Sequence, residues 1–411
     1  MYYIHLYIIN SIYFDKKLFL YIIKTIMFNN TLNDWLDLRN GVKAVCKKFP
    51  EDYWRKIDRD REYPKNFVNS LTKNGYLACL IPEKYGGSGL NIRAAAVILE
   101  EVHRSGGNGA ACHAQIYIMG SLLKHGSEKL KEKYLYDIAR GKLRLQAFGV
   151  TEPTSGTDTL SIKTTALKKG NNYIINGQKV WTSRAEYSDL ILLLTKTSKT
   201  EKNKRKALSL FLIDMRPHLN KEITIKPIRT MINHSTTEIF FDNLEVSQDC
   251  LVGEEGKGFD YILDGLNAER LLIASECIGD AKYFIDKSIN YANQREVFGR
   301  PIGKNQAIQF PIANVYAKTM AAELVLFKGC NQFDEHKACG EEANIAKLLS
   351  AEASWQAAEA TMQTYGGFAF SEEYDIERKF RETRLYQIAP VSTNMILAYI
   401  SHKILEMPRS Y

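Results

Sequence analysis

Residues 147–158 read Ala147-Phe148-Gly149-Val150-Thr151-Glu152-Pro153-Thr154-Ser155-Gly156-Thr157-Asp158. The apolar run from Leu145 to Val150 predicts a strand, and residues 152–158 join a Pro-fixed φ, a glycine and three hydroxyls, which predicts a turn. Such a loop offers backbone N–H and side-chain O–H groups to a large polar ligand. The periodicity of the chain changes on either side of it. From about residue 31 to 144 apolar residues recur at three and four, as in Ile92 to His103 and in Tyr117 to Ile138, the latter broken at Gly126-Ser127. From about 145 to 250 the period is two, with strands expected at Tyr173 to Ile175, Leu190 to Leu194, Leu208 to Ile213, Ile223 to Ile228 and Thr237 to Phe241. From Gly258 onward long helical patterns return, interrupted at Gly299 to Gly303, Cys339-Gly340 and Gly366-Gly367. The expected fold is a multi-domain α+β chain: an N-terminal helical domain (27–144), a middle β-barrel or sandwich (145–257) and a C-terminal four-helix-type bundle (258–411).

Composition narrows the function classes. The 411 residues, 45% hydrophobic and 25% charged, fit a globular protein with more than one core. Seven cysteines, odd in number and without a C-x-x-C pair, suggest neither a zinc cluster nor a disulfide framework, and a reducing compartment is expected. Part of the net charge of +8 sits in Lys196 to Lys206, read as a solvated hairpin loop rather than a nucleic-acid surface. Residues 1–26 are apolar but interrupted by Asp15, Lys16 and Lys17, which argues against a stable membrane span. They are read as an upstream extension, with an interfacial amphipathic anchor as the alternative, and the capped helix of Asn29 to Asp37 opens the working chain. No P-loop, metal pattern, Ser-His-Asp arrangement or internal repeat stands out.

Five further blocks accompany residues 147–158 in a fixed order. They are Ile81-Pro-Glu-Lys-Tyr-Gly-Gly-Ser-Gly-Leu90, Gly177-Gln-Lys-Val-Trp-Thr-Ser183, Arg295-Glu-Val-Phe-Gly-Arg-Pro-Ile-Gly-Lys-Asn-Gln306, Gln363-Thr-Tyr-Gly-Gly367 and Glu377-Arg-Lys-Phe-Arg-Glu-Thr-Arg-Leu-Tyr386. Together the six resemble the acyl-CoA dehydrogenases over roughly residues 30 to 400. The resemblance implies FAD as cofactor, an acyl-CoA substrate, an electron-transfer flavoprotein as acceptor, a homotetramer, and a cytoplasmic location, or the mitochondrial matrix in a eukaryote. It also implies α,β-desaturation of a thioester, in which a carboxylate takes the α proton while the β hydride moves to the flavin.

The same resemblance implies the site residues. Where much of the family carries its catalytic Glu, this chain has Pro390, in Leu385-Tyr-Gln-Ile-Ala-Pro-Val-Ser-Thr-Asn394. In the branch resembling isovaleryl-CoA dehydrogenase the Glu instead precedes an Arg on an early C-terminal helix, and Gly265-Leu-Asn-Ala-Glu-Arg270 matches, making Glu269 the expected base. Pro390 also lacks the N–H that usually binds the thioester carbonyl, and either the N–H of Val391 substitutes for it or the substrate sits differently. Phe148, Val150, Thr151, Thr157, Trp181, Thr182 and Ser183 are expected along the flavin ring, with Ser392, Thr393 and Asn394 nearby. Arg295, Phe298 and Gln306, with Gln363, Gly366 and Gly367, are expected at the FAD of a neighbouring subunit. Asn267 and Arg270 would meet CoA, and the acyl tail would lie along Ala110 to Tyr117 and Ala389, with His113 and Tyr117 four apart on one helix face. Ala389 is small where a Tyr often stands, which leaves room for a branched or bulky acyl group. A flavin oxidase or monooxygenase, or a flavin-bearing nucleic-acid-binding relative, is the alternative on this fold.

Overall fold

A computed structural model describes residues 35–198 and 201–409. The readings of residues 1–26 and of Asn29 to Asp34 therefore lie outside the described residues. The helix there begins at α1 (Leu36–Cys46), behind Trp35 in a left-handed conformation and with no side-chain cap.

Five more helices complete the first part: α2 (Glu51–Asp60), α3 (Lys65–Lys73), α4 (Ile92–Arg104), α5 (Ala110–His125) and α6 (Glu128–Ala139). Asn91 and Ser127 cap α4 and α6 by accepting from Ala94 N and Leu130 N, as short polar side chains do at helix starts. Helix α5 starts seven residues before the periodic stretch that opens at Tyr117, because Ala110, Ala111 and Ala114 are apolar enough to bury but too small to mark a face.

Seven strands form one curved sheet: β1 (Leu145–Gly149), β2 (Thr165–Lys169), β3 (Asn172–Ser183), β4 (Leu190–Lys196), β5 (Leu208–Asp214), β6 (Ile223–Pro227) and β7 (Thr236–Ser247). Their order is β1-β4-β2-β3-β7-β6, with β5 paired to β4, and β1 runs parallel to β4. This half-barrel realises the barrel-or-sandwich expectation, and the basic segment after Lys196 joins the antiparallel pair β4 and β5. Alternation assigns the two faces. Leu190, Leu192 and Leu194, with Leu208, Leu210 and Leu212, pack in the main core with the helices, while Ile191, Leu193, Phe211 and Ile213 fill the core inside the sheet.

The last part is a helical bundle of α7 (Gly258–Gln294), α8 (Gln306–Asp334) and α9 (Gly340–Tyr365), followed by α10 (Ile376–Thr383) and α11 (Thr393–Tyr399). A short hairpin, β8 (Glu296–Val297) and β9 (Arg300–Pro301), joins α7 to α8. Helix α7 meets α4 closely at Gly279, where an added Cβ would sit 2.3 Å from the Glu100 carbonyl oxygen. Ion pairs lock the layers: buried Glu100 accepts from Arg39 at 2.9 Å and Lys282 at 2.8 Å, and Lys282 also reaches Glu323 at 2.7 Å. No described helix is long and apolar enough to cross a membrane.

Candidate active site

The site forms where the ends of β1 and β3 meet α5 and α7. The turn after β1 is held by a buried ion pair that the sequence alone does not single out. Lys179 donates to Glu152 at 2.9 Å and to the Val150 carbonyl at 3.0 Å, and Glu152 also accepts from the Lys163 and Thr164 N–H groups. The Val180 N–H donates to the Thr151 carbonyl, which sets Thr151 beside Trp181. Trp181 takes a positive φ of 60° and leaves its indole 58% exposed, an aromatic surface with no protein covering it. Val150, Thr151 and Ser183 are half-buried around it, Thr157 is exposed, and the Thr182 hydroxyl is buried without a partner.

Glu269 lies on α7 and is 7% exposed. The Tyr117 hydroxyl, on α5, donates to its carboxylate, and Tyr117 in turn packs edge-on against Phe148 at 6.2 Å. Burial pushes the Glu269 carboxyl up to about 7, although the Tyr117 hydrogen bond and the Arg270 charge both act to lower it. Arg270 does not close a salt bridge on Glu269. It donates to Asn267 at 3.0 Å and to Asn344 at 3.4 Å.

Two turns along α7, Glu276 faces the same way, as a seven-residue step requires. It accepts from His113 Nδ1 at 2.8 Å and from Tyr386 at 3.1 Å, and the His113 ring stands 5.7 Å from Tyr117. His113 is thus tied by one ring nitrogen to a carboxylate, and burial lowers its pKa, which keeps it neutral. Loop 385–394 closes over α7: Lys347, fully buried on α9, donates to the Val391 carbonyl at 2.7 Å, and Ser392 caps α11. Burial pulls Lys347 down to about 8. Ala389, Pro390 and Val391 are half-buried in this loop, Thr393 donates to the Gln387 carbonyl, and Asn394 is exposed.

A second group assembles elsewhere. Arg295, Gln363, Gly366 and Gly367 share a cavity of about 510 Å³ with Tyr291 and Phe368. Gly366 holds φ 60° and ψ −133°, a conformation in effect restricted to glycine, and nothing lies within 4 Å of where its Cβ would stand. Gln306 opens α8 beside the cavity and Phe298 is 99% exposed at the hairpin tip. A guanidinium, an amide, bare glycine backbone and aromatic faces suit a diphosphate-linked nucleotide. None of the residues around Trp181 lines this cavity, so the two groups stand in separate places on one chain.

Models of the acyl-CoA dehydrogenase N-terminal, middle and C-terminal domains match residues 34–142, 147–244 and 256–405. The chain belongs to the acyl-CoA dehydrogenase family. This acyl-CoA dehydrogenase is 32% identical over 352 residues to the 3-(aryl)acrylate reductase of Clostridium sporogenes (strain ATCC 15579), covering 85% of this chain and 93% of that one. It is 31% identical over 376 residues to an acyl-CoA dehydrogenase of Bacillus subtilis (strain 168), covering 88% and 97%. Among solved structures, a glutaryl-coenzyme A dehydrogenase in complex with glutaryl-CoA superposes with a TM-score of 0.85 at 29% identity, covering 91% of this chain and 96% of that one. The family is one of flavoprotein oxidoreductases acting on acyl-CoA thioesters, and this acyl-CoA dehydrogenase shares its helical, half-barrel and bundle architecture.

Proposed function

We propose that the chain is an FAD-dependent enzyme that introduces an α,β double bond into an acyl-CoA thioester, with Glu269 as the base, and passes electrons to an electron-transfer flavoprotein. The observation that carries this reading is a buried carboxylate, set between α5 and α7 and oriented by Tyr117, whose proton affinity sits near neutrality. FAD, when bound, supplies the acceptor for the β hydride. Thr151, Trp181 and Ser183 hold the ring against the half-barrel, with Phe148 and Val150 as its apolar floor. Arg295, Gln363, Gly366 and Gly367 hold the diphosphate end belonging to a second subunit, which makes the working enzyme an oligomer, read as a homotetramer. Asn267 and Arg270 face the CoA arm. The Val391 N–H replaces the donor missing at Pro390, in a loop that Lys347 fixes through the Val391 carbonyl.

Anaerobic titration of the FAD-loaded protein with straight, branched and aromatic acyl-CoA thioesters tests the reading. Bleaching of the oxidised-flavin absorbance is expected with one class, and Glu269→Gln should slow it by about 10²–10⁴-fold, the usual worth of a general base. Bound flavin that no thioester reduces would discard desaturation in favour of an oxidase or monooxygenase.

A further inference from the structure

Arg184 comes directly after Ser183, at the end of β3, with φ 61°. The residue is 3% exposed and its Nε has no hydrogen-bond partner. Among the described residues its terminal nitrogens reach only imidazoles: His113 Nε2 at 3.5 Å, and His234 Nε2 at 3.4 and 3.5 Å. Both rings must be neutral to accept, and His113 can be, since its Nδ1–H is given to Glu276. A guanidinium remains charged at every working pH, and burying one without a carboxylate within reach is strongly disfavoured. Arg184 therefore has no carboxylate in direct contact, and Glu276 acts on it only from behind the His113 ring.

Its surroundings indicate where a counter-ion enters. Arg184 and His234 line a small cavity of about 20 Å³, room for about one oxygen-sized atom, together with Asn108, Ala110 and Ala111. Three acidic side chains on the same wall are already paired: Asp58 with Arg381 at 2.6 Å, Glu382 with Arg378 at 2.8 Å and Glu62 with Lys56 at 3.6 Å. Helix α5 runs from this cavity at Ala110, past His113, to Tyr117 and the Glu269 carboxylate. The span from His113 to Tyr117 is one helical turn, about 6 Å. Tyr117 feels the charges of both Glu269 and Arg184, so an acyl chain whose α carbon lies at Glu269 and which runs along α5 heads toward Arg184.

We propose that Arg184, with His113 and His234, receives a carboxylate at the far end of the acyl chain, so that the substrate is the CoA monothioester of a short dicarboxylic acid. This rests on the reading of Glu269 as the base of a thioester desaturase. The carboxylate supplies the charge that Arg184 lacks, and the neutral imidazoles hold the guanidinium ready without cancelling it.

The test uses the full chain loaded with FAD and compares flavin reduction by glutaryl- and adipyl-CoA with that by pentanoyl- and hexanoyl-CoA. The dicarboxylic esters should show the higher kcat/KM by about 10- to 10²-fold, the worth of a charged hydrogen bond. Arg184→Met should remove that preference while leaving the neutral esters nearly unchanged, and Arg184→Lys should restore part of it. Calorimetric binding of the four esters to Glu269→Gln protein, which does not turn over, should give the same ranking. Neutral esters that reduce the flavin as well as or better than dicarboxylic ones would overturn the carboxylate receptor and leave the desaturase standing. Equal losses for both classes in Arg184→Met and Arg184→Lys would reduce Arg184 to a structural residue. Failure of these four esters while a branched or aromatic thioester bleaches the flavin would overturn the receptor alone, and failure of every thioester class would remove the desaturase reading with it.

Discussion

At Glu269 burial, aided by the Glu276 charge, outweighs the hydrogen bond from Tyr117 and the charges of Arg270 and Lys347, leaving the carboxyl at about 7. The folded chain then keeps a proton that the unfolded chain releases at the ordinary carboxylate value. Stability should fall as pH rises through the window between that value and about 7, because the folded state binds more protons there. Glu269→Gln abolishes the penalty, since an amide never ionises. The variant should exceed the wild type by on the order of 3 kcal/mol at about pH 8 and match it at about pH 4, as read by urea denaturation. An equal difference at both pH values would mean that Glu269 titrates as an ordinary carboxylate, and its case as a base would weaken with it. Glu269 itself was legible in the sequence through the Gly265 to Arg270 block. Tyr117 was legible with it, but the groups that frame the pair were not: Glu276 and Lys347 gain meaning only from His113 and Val391, which lie 163 and 44 residues away.

Among the elements, the turn between β1 and β2 shows how a polar loop is kept in one shape. Lys179 and Glu152 are 27 residues apart, both buried, and paired at 2.9 Å. Lys179→Met would leave the Glu152 carboxylate buried without its counter-charge and should cost about 3–5 kcal/mol, with weakened FAD retention. The double variant Glu152→Gln, Lys179→Met should recover much of that loss, because no bare charge remains; a double variant as unstable as the single one would show that packing, not charge, dominates at this turn. Where the apolar run is short and continuous, as in Leu190 to Leu194, the strand could be read from the sequence. Strand β2, Thr-Ala-Leu-Lys-Lys, carries too few apolar positions to stand out. Strand β3 extends past Ile175 through Asn176-Gly177, which looks like a turn, because a register shift between Ile175 and Gly177 absorbs the irregularity against β7.

For the whole molecule, helical, β and helical parts could be read from periodicity alone, since each change of period marks a change in what the chain packs against. Assembly is a different matter, and its sign lies on α8. Phe310, Ala313, Ala317, Ala321 and Leu324 are all exposed, and their spacing of three, four, four and three residues places them on one stripe of that helix. Tyr316 adds a further exposed ring beside it. An apolar stripe with alanines at its middle lets a second helix approach closely, and it supports the proposed homotetramer. If Arg295 and Gln363 serve the FAD of a neighbouring subunit, assembly and cofactor retention are linked. Phe310→Glu combined with Leu324→Glu, neither residue being part of the proposed site, should lower the mass found by sedimentation and weaken FAD binding by about tenfold or more, through loss of the Arg295 contact. A smaller assembly that holds FAD as tightly as the wild type would place the whole FAD site within one chain and refute the shared site.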